Sequence, residues 1–61
     1  MLTPKDAEVG KRVKWISPDT GQTRFGTITE VIDNVEVIVD YDDGAKGMCF
    51  VNNTLSTVHP A

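Results

Sequence analysis

Cys49 and His59 are the chain's single cysteine and single histidine, a nucleophile and a base in kind. Nothing in the spacing orients the imidazole, and no carboxylate is placed to complete a triad. Cys49, beside Phe50, therefore reads as a small core residue or a thiol on a strand's exposed face, and His59 as an exposed residue near the chain's end. A second set is basic. Lys11, Arg12, Lys14 and Arg24 fall in the first half, and with Lys46 and an exposed aromatic they could line one face of a small barrel. Small barrels hold single-stranded nucleic acid in that way. The competing reading is a wet strand face whose cations pair across strands with Glu36 or Asp40.

The third set is acidic. Asp40-x-Asp42-Asp43-Gly44 clusters carboxylates ahead of a glycine, as metal loops do, but the spacing is not that of an EF-hand and no Glu stands at the closing position. A solvated turn capped by Gly44 is the expectation, with no metal and no cofactor. Glu30, Asp33 and Glu36 extend the acids into a stripe that could meet a basic protein surface, or could be ordinary soluble surface. No catalytic residue is assigned, and the expectation is a protein without enzyme activity.

These residues need elements to position them. Three β-type runs do so: 12–16 (Arg-Val-Lys-Trp-Ile), 25–32 (Phe-Gly-Thr-Ile-Thr-Glu-Val-Ile) and 35–44, which begins Val-Glu-Val-Ile-Val-Asp-Tyr. All are short, rich in β-branched and aromatic residues, and separated by turn formers, as a highly curved barrel requires. Ser17 to Gln22 forms a loop, with Gly21 at positive φ. Asp33-Asn34 suits a tight hairpin, also at positive φ. Gly26 interrupts its run and marks a bulge or a close backbone approach. Alternation assigns Val13, Ile28, Val35, Val37 and Val39 to the core, with Trp15 and Tyr41 on the same faces.

The remaining pieces are weaker. Residues 45–51 read as a fourth strand. Asn52 to Leu55 reads as a 3₁₀ turn whose Leu55 plugs the barrel bottom. Ser56 to His59 reads as a closing strand stopped by Pro60. Residues 1–8 form a lead-in, more a turn than a helix, although Thr3 ahead of Pro4 could cap one helical turn. The domain is placed at 9–59, followed by 60–61.

The chain has 61 residues, which allows one domain. Such a chain buries only about 60% of the surface its unfolded form exposes, so the core is marginal and self-association is a common remedy. Hydrophobic residues make up 39% and charged residues 25%, which fits a folded domain rather than a disordered tail. A single cysteine rules out an internal disulfide, and no run approaches the roughly 20 apolar residues of a membrane span. A soluble cytoplasmic protein without membrane contact is expected. The net charge of −3 disfavours non-specific nucleic-acid binding, which runs on phosphate neutralisation.

The element order resembles that of SH3-like barrels, and Val9 to Val58 resembles Tudor-type domains in particular. Val9-Gly10-Lys11-Arg12-Val13 matches their opening strand, Thr27-Ile28-Thr29-Glu30-Val31 their Thr-Ile strand, and Asp40-Tyr41-Asp42-Asp43-Gly44 their Asp-Tyr-Gly-Asn-like turn. That resemblance implies an aromatic cage holding a methylated cation by cation–π attraction, here Trp15, Phe25 and Tyr41 with Asp43 as acidic partner and Asp42 alongside. The spacing of the first two aromatics departs from the family's pattern, and the same side chains would serve a small core.

A weaker resemblance is to the plasmid-borne type II dihydrofolate reductases, tiny barrels that act as tetramers around a pore. It lies in Gly10-Lys11-Arg12-Val13 and Phe25-Gly26-Thr27-Ile28. Their Val-Gln-Ile-Tyr strand would fall at Gly47-Met48-Cys49-Phe50, which lacks both Gln and Tyr, so reductase activity is not implied. The expectation is a small non-enzymatic binding module for a protein or peptide partner, with homo-oligomerisation an option. Nucleic-acid binding and a reductase-like oligomer are the alternatives.

Overall fold

A computed structural model describes the whole chain, Met1–Ala61. After a 3₁₀ turn at Pro4–Asp6 come β1 (Arg12–Ile16), β2 (Thr23–Ile32), β3 (Glu36–Tyr41), β4 (Lys46–Phe50) and β5 (Val58–Pro60). They form one antiparallel sheet in the order β4-β3-β2-β1-β5. β2 makes the sheet curl. Its first half, from Thr23 to Thr27, pairs with β1, while Gly26 to Ile32 pairs with β3 and slips register between Ile28 and Glu30. Such a bulge bends the strand and increases its twist. Gly26 lies where the two halves meet. A Cβ there would stand 2.7 Å from Val39 Cγ1 and 2.9 Å from the Asp40 carbonyl, so the close approach expected at this glycine is real.

The turns follow their residue chemistry. Asp33 and Asn34 take φ of 52° and 58°, and the Val35 N–H closes the turn on the Ile32 carbonyl at 3.1 Å. Positive φ at both central positions matches the strand twist, and Asp and Asn tolerate it. After β3 the Gly44 N–H donates to the Tyr41 carbonyl at 3.0 Å, with Gly44 at φ 93°.

The core consists of Leu2, Val13, Ile28, Val37, Val39 and Val58, with Trp15, Tyr41 and Cys49 packed against it. Val35, assigned to the core by alternation, is 54% exposed. It closes the hairpin turn and stands at the tip rather than over the core. Leu55 is 88% exposed and plugs nothing. The 3₁₀ turn expected before the last strand is also absent. Asn52 sits at φ 59°, outside the 3₁₀ region, and the Asn53 carboxamide oxygen takes the Leu55 N–H at 3.1 Å, turning that leucine outward.

The chain's 3₁₀ turn lies in the lead-in instead. The Asp6 carboxylate accepts the Thr3 N–H and hydroxyl, each at 2.9 Å, and these bonds, the backbone one foremost, hold its pKa below the usual range. That turn delivers Leu2 into the core, where its carbonyl accepts the Asn52 N–H at 2.7 Å. Leu2 thus takes the place expected of Leu55. The last strand is Val58–Pro60 and includes its proline, opposite Val13, where the strand has no further neighbour to supply. No helix is long and apolar enough to cross a membrane.

Candidate functional site

Strand register decides which chemical groups meet. Trp15 lies opposite Arg24, and Gly26 lies opposite both Val13 and Tyr41. Because neighbours across a ladder share a face, Trp15, Arg24 and Tyr41 stand on the core side. Phe25 lies opposite Lys14, on the other side of the sheet, and is exposed. The three aromatics therefore do not close into one cage.

The sheet has two unpaired edges, β4 and β5, and between them runs a groove of about 380 Å³. Trp15 and Tyr41 line it, with Cys49, Met48 and Val58 beside them. The Tyr41 ring lies against Gly47, whose added Cβ would be 3.0 Å from the ring's Cε2, so glycine is what lets the ring settle there. Burial pushes the Tyr41 phenol and the Cys49 thiol above their ordinary pKa values, so both are neutral at physiological pH.

Arg24 bridges two sites. Its guanidinium carbon is 5.5 Å from the Trp15 ring centroid, a cation–π distance, and its Nε is 3.4 Å from Asp43 Oδ2. Phe25, Asp42 and Asp43 line a smaller adjoining hollow of about 240 Å³ together with Arg24. The five residues expected to bind a ligand are thus divided, with Trp15 and Tyr41 in the groove and Phe25, Asp42 and Asp43 next to it.

The basic set is divided as well. Arg12 and Lys14 alternate with Val13 and Trp15 on β1 and face away from the groove, whereas Arg24 faces it. Arg12 donates through Nη1 and Nη2 to both Asp42 oxygens, at 2.8 and 2.7 Å, and through Nη1 to Thr27 Oγ1 at 2.8 Å. These bonds raise the guanidinium's pKa and hold the Asp42 carboxyl below its usual range. The cross-strand partners are accordingly Asp42 and Asp43, not Glu36 or Asp40. Lys14 is half-buried between Phe25 and His59, and Lys11 is exposed.

Sequence reasoning passed over Ser56, Thr57 and Val58, which line the groove from the approach to β5. Their one signal is position, since the segment before a closing strand must pass the open edge of the sheet. His59 Nδ1 meets the N-terminal amine of Met1, which ties the lead-in to β5. Compared with family models, with curated proteins and with solved structures, the chain matches none.

Proposed function

We propose that this chain is an SH3-like barrel, Tudor-like in element order, that works as a non-enzymatic binding module and takes an extended protein segment along the groove between its sheet edges. One observation carries the reading: an unpaired strand edge borders a groove lined by Trp15 and Tyr41.

The edge has defined chemistry. The Tyr41 N–H bonds the Ala45 carbonyl at 2.8 Å and the Val51 N–H bonds the Val35 carbonyl at 2.9 Å. Hydrogen-bonded pairs alternate in an antiparallel ladder, so Gly47 and Cys49 bond to β3 while the N–H and C=O groups of Lys46, Met48 and Phe50 point to the open edge. Such an edge is a template for an added strand. Aromatic walls supply contact area that a backbone ladder alone lacks.

The test is an amide chemical-shift titration of the full chain with a short capped Val/Thr peptide. Saturable shifts at Lys46, Met48 and Phe50 and at the Trp15 indole are expected. Shifts confined to Lys11, Arg12 and Lys14, obtained with oligothymidine and lost in salt, would instead favour the nucleic-acid reading.

A further inference from the structure

We infer that the segment taken by this groove is acidic, an extended strand in which apolar side chains alternate with carboxylates. The inference rests on the groove reading above and adds the partner's chemistry to it.

The protein carries nine acidic and six basic residues, yet the groove lining contains Arg24 and Lys46 and neither Asp nor Glu. The sign of charge is locally reversed where the largest hollow lies. Neither cation is fully neutralised from within. Lys46 makes no ion pair, and Arg24 meets Asp43 only through Nε at 3.4 Å, well beyond the 2.7 Å at which Arg12 meets Asp42. Charge-assisted bonds of full strength close to about 2.7–2.9 Å, so Arg24 has bonding capacity left for a ligand carboxylate.

An inserted strand presents alternate side chains to opposite sides. On the groove side they meet Trp15, Tyr41 and Val58, with the Arg24 guanidinium at that same face, and on the other side they lie beside Lys46, which stands opposite Asp40 and away from Tyr41. Apolar groups suit the first face and carboxylates the second. Other occupants fit less well. A second copy offering its own β4 brings Lys46 as that strand's charged residue and repeats the sign already present. A nucleic-acid strand matches the sign, but it has no alternating N–H and C=O groups to complete the β4 edge.

The experiment compares three capped peptides, alternating Val with Glu, Thr or Lys, and oligothymidine, against the full chain by amide shifts at low and high salt. The Val/Glu peptide is expected to shift the Lys46, Met48 and Phe50 amides and to bind about tenfold tighter than Val/Lys, the scale of one exposed ion pair gained and one like-charge contact removed. High salt should close that gap, as should the double variant Arg24→Gln/Lys46→Gln. Equal or tighter binding of Val/Lys, with shifts still at β4, overturns the acidic preference and leaves the groove reading intact. No β4 shift with any peptide overturns both. Shifts there with oligothymidine alone assign the groove to nucleic acid, and shifts that follow protein concentration alone assign it to a second copy.

Discussion

Gly26 lies against Val13 on one side and Tyr41 on the other, and the atoms facing its Cα leave no room for a methyl group. Gly26→Ala forces Val39 or the Asp40 peptide to move, and overpacking of that kind costs about 1–3 kcal/mol. Urea denaturation should show the midpoint falling with an unchanged slope. Acid acts at other residues. Asp42 is held down by Arg12 and Asp6 by the Thr3 N–H, so both have folded pKa values below their unfolded ones. Their contribution is complete above the unfolded carboxylate value and is lost as pH falls through the depressed folded values. Melting temperature should therefore hold from neutral pH down to the ordinary carboxylate range and drop below it, and Asp6→Asn with Asp42→Asn should flatten that drop. Residue-scale readings divided along a physical line. Val13, Ile28, Val37 and Val39 were legible because alternation is a local property of a strand. Phe25 stands three residues before Ile28, so the same alternation turns it to the opposite face, which a match on residue type alone ignores. That Lys14 faces it was not legible, since that is set by pairing across the sheet.

At the scale of elements, the β2–β3 hairpin depends on two consecutive residues in the left-handed region. Asn34→Ala should cost about 1 kcal/mol, because a Cβ without a polar group is disfavoured there, whereas Asn34→Gly should be neutral or stabilising. Paired thermal melts of the two variants would settle the sign, and equal stability would remove the turn's role in holding the register. Strand existence was legible from β-branched runs bounded by turn formers. The exchange of Leu2 for Leu55 was not. Each is a lone leucine in a polar stretch without a period, and only the Asn52–Leu2 bond and the Asn53 turn reveal which one goes inside.

At the scale of the whole molecule, few side chains hold the fold together. Six buried residues form the core, and one of them, Leu2, comes from ahead of the first strand. Leu→Ala in a core costs about 2–5 kcal/mol, against a total of roughly 3–9 kcal/mol for a chain this long. Leu2→Ala should therefore remove about half of the stability, read by circular dichroism as a lowered urea midpoint, and a chain starting at Val9 should not fold alone. A cooperative melt in that shortened chain would show that the strands suffice without the lead-in.

The guanidinium resting on Trp15 changes what the ring can recognise. A group tethered within the same fold competes at an effective concentration in the millimolar range, with no entropy of association left to lose. To a free cationic ligand weaker than that, the ring is already occupied, and a methylated lysine would have to displace Arg24 before meeting the indole face. An anionic ligand faces no such competition, because the resident cation is then part of what it binds.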